Sequence, residues 1–127
     1  MVGAAIVRDG RVLAARRTEP ASVSGRWEFP GGKVEPGETE DDSLAREIQE
    51  ELGLRIRVDR WFAGAEEIGD RYLLRVAVAT IEAGEPVPAE HDQIRWLAAA
   101  ELGDVDWLDA DLPFLTELSH LLPSLDR

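Results

Sequence analysis

Glu47, Glu50 and Glu51 stand at i, i+3 and i+4, so on a helix the three carboxylates share one side of the cylinder. Like charges at that spacing destabilise an exposed helix by about 0.2–0.5 kcal/mol per pair. Either solvent and salt offset this on a plain acidic surface, or a bound cation does. A hard cation such as Mg²⁺ prefers carboxylate and carbonyl oxygens, keeps several waters, and is commonly shared between protein carboxylates and substrate phosphates. Between Glu35 and Glu51 there are eight acidic residues and one base, Arg46. Arg46 adjoins Glu47 and points about 100° round the helix from it, where a guanidinium can orient a carboxylate such as Glu38 by charge-assisted hydrogen bonds.

The elements that must position these groups are readable in outline. Residues 2–8 and 11–16 are apolar runs on either side of Asp9-Gly10, the pattern of a hairpin. Residues 17–26 mix Pro, Ser, Gly and charge as a surface loop does, and Trp27-Glu28-Phe29 alternates like a short strand. Pro30-Gly31-Gly32 breaks that strand, and its glycines admit a plain turn or the close approach of a ligand or metal. Thr39 suits a helix N-cap with Asp42 three residues on. Leu44, Ile48 and Leu52 make an apolar stripe, and Gly53 closes the helix. Residues 54–65 and 72–81, parted by Gly69-Asp70, read as strands, with a further short one over 93–97. The tail, residues 111–122, carries Leu112, Leu115, Leu118 and Leu122 at helical spacing and is stopped by Pro123. Strands, a helix, more strands and a terminal helix predict an α/β or α+β fold, a mixed sheet between helices, as one domain over residues 1–127.

Composition narrows the function classes. With 14 basic and 26 acidic residues the net charge is −12, which disfavours a nucleic-acid polymer as partner. The absence of cysteine excludes disulfides and thiolate metal sites and fits a reducing compartment. No apolar stretch approaches the ~20 residues that span a bilayer, and the start lacks a secretory pattern. The expectation is a soluble, cytoplasmic protein without membrane contact, with monomer or homodimer left open.

Spacing then adds what composition does not. Gly32, five residues, Glu38, seven residues, and Arg46-Glu47-Ile48-Gln49-Glu50-Glu51-Leu52-Gly53-Leu54 reproduce all nine constrained positions of a 23-residue pattern over residues 32–54. This is similar to the Nudix box, G-x5-E-x7-R-E-U-x-E-E-x-G-U, and the chain resembles a Nudix hydrolase. That resemblance implies the Nudix α/β/α sandwich and cleavage of nucleoside diphosphates linked to another moiety, with Mg²⁺ or Mn²⁺. Beyond the box, the segments WEFPGGKVEPGE, Arg16-Arg17, EHDQIRW and DADLPF look like the MutT-type nucleoside triphosphate pyrophosphohydrolases, the CTP and oxidised-nucleotide enzymes. These release monophosphate and pyrophosphate and clean nucleotide pools, with a role in DNA repair.

The resemblance implies a site. Glu47, Glu50 and Glu51 with the Gly31 carbonyl hold the metal, and Glu90 is an added ligand or base, against the alternative of a solvated loop acid. Glu47 is the first choice of catalytic base, with Glu50 or Glu90 as rivals, because clustered carboxylates titrate together. Arg46 joins the catalytic set. Arg17 aligns with a phosphate-binding arginine; its alternative is a solvated strand end. Phe29, Gly32 and Lys33 are expected on the substrate, with Phe29 stacking on the base. Asp111 stands where the relatives read the nucleobase; an ionised aspartate only accepts, which tilts the reading toward cytosine nucleotides, with 8-oxo-dGTP still open, and it also suits a helix cap. Trp27 lines the base pocket or the core; Trp61, Trp96 and Trp107 pack. His91 and His120 are assigned to surface or capping. The competing readings are an ADP-ribose or dinucleoside polyphosphate hydrolase and a non-catalytic nucleotide sensor.

Overall fold

The structure is a computed structural model describing residues 1–69, 72–89 and 91–125. Its sheet is built on the first hairpin, β1 (Val2–Arg8) and β2 (Arg11–Arg17). The hairpin turns through Asp9 and Gly10 at φ 53° and 73°, the left-handed pair that a two-residue turn between twisted strands requires. Next come β3 (Trp27–Glu28), β4 (Gly31–Gly32), the helix α1 (Glu40–Leu52), β5 (Arg55–Trp61), β6 (Glu66–Ile68), β7 (Tyr72–Ala83), β8 (His91–Leu97) and the helix α2 (Leu112–Leu125). The strand order β3-β2-β1-β7-β5 has β4 on β1, β6 on β7 and β8 on β2. β1 and β7 run parallel at the centre and the other named pairs are antiparallel, so the sheet is mixed, as expected.

Alternation along β1 explains the layers. Val2, Ala4 and Ile6 join Leu44, Ile48 and Leu52 of α1 in one apolar cluster. Ala5 and Val7 join Phe114, Leu118 and Leu122 of α2 in another. Because successive side chains of a strand face opposite ways, the two helices lie on opposite faces and the fold is an α/β/α sandwich. The start of α1 is capped by Thr39 Oγ1, which accepts from the Asp42 amide at 3.1 Å; it ends at Gly53, φ 70°, whose N–H donates to Gln49 O.

Several boundaries differ from the sequence expectation. The strands expected over residues 11–16, 72–81 and 93–97 span Arg11–Arg17, Tyr72–Ala83 and His91–Leu97. The Gly31-Gly32 break is itself a strand, β4, paired with Val2 and Gly3 of β1. The run 54–65 stops being strand at Trp61, and Glu66–Ile68 forms a separate short strand on β7. Pro123 does not stop α2, which continues to Leu125; it lies in the final turn, where little of the helix ladder remains to be broken. Leu112 is 48% exposed while Phe114 is buried, so the inward stripe of α2 is Phe114, Leu118 and Leu122. Asp70, which the sequence reading placed at the turn before β7, lies outside the described residues. Among the described residues no helix is long and apolar enough to cross a membrane.

Gly31 is required by contact. A Cβ there would fall on the carbonyl oxygen of Val2, which belongs to the strand beside it. Gly31→Ala is expected to cost about 1–3 kcal/mol, the usual range for overpacking. Urea unfolding should show a lower midpoint with an unchanged slope.

Candidate active site

The acidic side of α1 is organised by Arg46. Its Nε donates to Glu38 Oε2 at 2.8 Å and its Nη2 to Glu38 Oε1 at 3.0 Å, a two-pronged bond. Nη1 donates to Glu47 Oε1 at 3.1 Å and to Glu50 Oε2 at 3.3 Å, and Nη2 also meets the Lys33 carbonyl at 3.2 Å. One planar guanidinium thus ties two helix carboxylates to the loop that precedes the helix. Arg46 holds the Glu38 carboxyl down at about 2, with a further bond from the Glu35 amide. A carboxylate lowered in this way stabilises the fold above the ordinary carboxylate range, and the contribution fades as pH falls toward 2.

Glu51 is different: it is only 5% exposed, and its Oε2 accepts from the Gly31 amide at 3.0 Å. This bond ties α1 to β4. A Cβ on Gly32 would land on the Glu47 carboxylate, so the two glycines let the helix acids lie directly against the strand backbone. The donor set fits a hard divalent cation, since Glu47, Glu50 and Glu51 and the Gly31 carbonyl offer only hard oxygen. Among the described residues no three acidic or imidazole groups converge into a closed cage.

A cleft of about 500 Å³ opens beside Glu51, lined by Arg17, Thr18, Glu19, Glu28, Ala89 and His91 as well. Arg17 and His91 face each other across the β2–β8 ladder. Arg17 Nη1 pairs with Glu28 Oε1 at 3.1 Å, and its Nε donates to the Glu19 carbonyl at 3.0 Å. His91 Nε2 lies 2.8 Å from Glu28 Oε2. Asp111 is 3% exposed. Burial, and secondarily the charge of Glu28, push its carboxyl well above the usual range, against the Phe29 amide and the more distant Arg17 and Arg26.

The expected residues therefore divide. Arg46, Glu47, Glu50, Glu51, Gly31 and Gly32 come together on α1 and β4, and Arg17 stands on the cleft wall. Phe29 does not line that cleft: it is 4% exposed, and its ring meets Trp107 in the core at a centroid distance of 4.9 Å, tilted by 43°. Trp27 is likewise buried. Lys33 is exposed, with its ammonium 4.8 Å from the Tyr72 ring. Of the tryptophans assigned to packing, Trp107 is buried, while Trp61 is half-buried and donates to Asp41, and Trp96 lies under Arg8. Glu90 lies outside the described residues. His120 is exposed as expected. His91 is not a surface or capping residue; it is buried against Glu28. Glu28 was missed altogether. The polar position inside Trp27-Glu28-Phe29 was its only signal, and strand register, which sequence does not carry, brings it to His91.

Comparison with known proteins places this geometry. The NUDIX domain model matches residues 1–118. A relative from Mycobacterium tuberculosis named putative 8-oxo-dGTP diphosphatase 2 is 43% identical, covering 96% of this chain and 89% of its own. The Escherichia coli CTP pyrophosphohydrolase is 35% identical over 91% of this chain and 87% of its own. The solution structure of the E. coli ORF135 protein superposes with a TM-score of 0.79 at 33% identity, covering 94% of this chain and 87% of that one.

The raised Asp111 carboxyl has a measurable consequence. The folded chain holds this proton after the unfolded chain has released it, so this group makes stability fall as pH rises above the ordinary carboxylate range. Asp111→Asn removes the ionisation. Its melting temperature relative to the unsubstituted protein should be higher at pH 8 than at pH 4, and a difference that does not change with pH would refute the assignment.

Proposed function

Because the chain belongs to the NUDIX domain family, we propose that it hydrolyses nucleoside triphosphates to the monophosphate and pyrophosphate. The favoured bases are cytosine, normal or modified, and 8-oxoguanine, and the role is cleaning nucleotide pools in the cytoplasm. The observation that carries this reading is the cleft joining the acidic helix, at Glu51, to Arg17 on the opposite wall. Anion-binding and cation-binding groups at the two ends of one cleft suit a phosphate chain. Support also comes from relatives named for 8-oxo-dGTP and CTP.

In this proposal Glu47, Glu50 and Glu51 with the Gly31 carbonyl hold Mg²⁺, or Mn²⁺ in its place. The cation supplies Lewis-acid polarisation of phosphate and water and reverses the local sign of a protein of charge −12. Glu47 takes the proton of the attacking water. Arg46 fixes Glu47 and Glu50 relative to Glu38. Arg17 donates to a phosphate oxygen through its second terminal nitrogen, since Nε and Nη1 are already engaged by Glu19 and Glu28. Asp111 meets the base edge: ionised it only accepts, as a cytosine amino group requires, and its burial favours the protonated form, which also donates. This widens the reading beyond cytosine, because a protonated carboxyl also meets the acceptors of an oxidised guanine.

Glu50→Gln and Glu51→Gln are each expected to lower kcat by at least about a hundredfold while leaving the fold intact, because removing a like charge does not destabilise that helix. Near-normal turnover in both would overturn the ligand assignment. Product formation compared as kcat/KM, pyrophosphate from dCTP, CTP, 5-methyl-dCTP, dGTP and 8-oxo-dGTP and AMP from ADP-ribose, tests the substrate. A preference for cytosine or 8-oxoguanine supports the proposal; preference for ADP-ribose, or binding without turnover, replaces it. Asp111→Asn should change the order of preference more than it changes kcat on the best substrate, and an equal loss on every nucleotide would remove the base-reading role.

A further inference from the structure

We propose that His91 is a positioning residue for Arg17: it donates to Glu28, Glu28 fixes the guanidinium, and the three side chains act as one clamp on the wall of the cleft. The inference rests on the reading of Arg17 as the phosphate contact and assigns the device that holds it there.

Three strands contribute one member each. Arg17 ends β2, Glu28 ends β3, and His91 begins β8. Their contacts form a chain, 3.1 Å from Arg17 Nη1 to Glu28 Oε1 and 2.8 Å from Glu28 Oε2 to His91 Nε2. An ionised carboxylate only accepts, so each nitrogen donates, and both Glu28 oxygens are engaged at once. The Glu19 carbonyl holds Nε from the far side, which leaves the guanidinium one aimed nitrogen and little rotational freedom.

The register between β2 and β8 is altered where it serves this contact. Arg16 pairs with Gln93, but Arg17 pairs with His91, skipping Asp92. Such a bulge re-aims side chains and bends the strand. Asp92, the residue left over, is anchored outside by Arg16 at 2.8 and 2.7 Å, so the imidazole rather than a carboxylate faces Glu28.

His91 is also a poor choice for packing. Its side chain is 3% exposed, and Nδ1 is buried with no hydrogen-bond partner among the described residues. Burying an unpaired ring nitrogen is unfavourable, and an apolar side chain of similar size avoids it. What the imidazole supplies in return is its bond to Glu28, on the wall of the cleft.

The test compares His91→Leu, which fills the space without a donor, with His91→Gln, which keeps one. His91→Leu is expected to raise KM for the best nucleoside triphosphate about tenfold while kcat falls less than about threefold, the signature of lost uniform binding. His91→Gln should recover most of that loss. A packing role alone predicts a lower melting temperature for His91→Leu with KM unchanged. In the His91→Leu background Arg17→Ala should cost much less than alone, because coupled residues are not additive. Side-chain ¹⁵N spectra read the clamp without turnover: hindered rotation of the Arg17 guanidinium in the parent and in His91→Gln, lost in His91→Leu. If no nucleoside triphosphate is hydrolysed the proposed function fails, and these spectra still decide the clamp. Unchanged Arg17 spectra in His91→Leu, or additive losses, overturn it.

Discussion

A helix face crowded with carboxylates persists here because one guanidinium is shared among them. Arg46 bonds Glu38, Glu47 and Glu50 and the Lys33 carbonyl, and most else about the acidic end follows from that sharing. It fixes the loop before α1 against the helix and keeps Glu38 ionised far into acid. It also leaves Glu47 and Glu50 oriented rather than splayed by their own repulsion. A lysine there would supply the charge but not the planar fork, and the carboxylates would lose their common reference.

The second constraint is distance. Glu51 reaches the Gly31 amide, and Gly32 lies under Glu47, so the helix carboxylates meet the β4 backbone with no strand side chain between them. The glycines that read in sequence as a turn are thereby the floor of the site. The opposite wall is made differently, by strand ends and a bulge, and its members are far apart in the chain. One wall is local and stiff; the other is assembled by the sheet.

That difference explains what was legible. The box over residues 32–54 lies within one loop and one helix, where spacing maps directly onto geometry, so Arg46, Glu47, Glu50 and Glu51 could be named together. The order of strands, helix, strands and helix gave a mixed sheet between helices, and the resemblance carried by the box implied the α/β/α sandwich. Glu28 and His91 were not legible as a pair, because their meeting depends on β2 lying between β3 and β8 and on a one-residue slip at Asp92. Phe29 shows a related limit: an aromatic before Pro-Gly-Gly fits a base pocket as well as a core, and its contact with Trp107 is one that sequence does not carry. β4 and β6 were too short to show a period at all.

The parallel pairing of β1 with β7 carries a consequence for how the molecule comes to exist. Val2 meets Arg75 and Gly3 meets Val76, so the centre of the sheet closes a loop that contains the hairpin, α1 and β5. Closing so long a loop is entropically costly and makes for slow, late assembly. During synthesis the acidic helix therefore emerges well before the strand that completes the sheet on which it is seated. A nascent chain that has reached β5 holds every carboxylate of the box and still lacks the central strand.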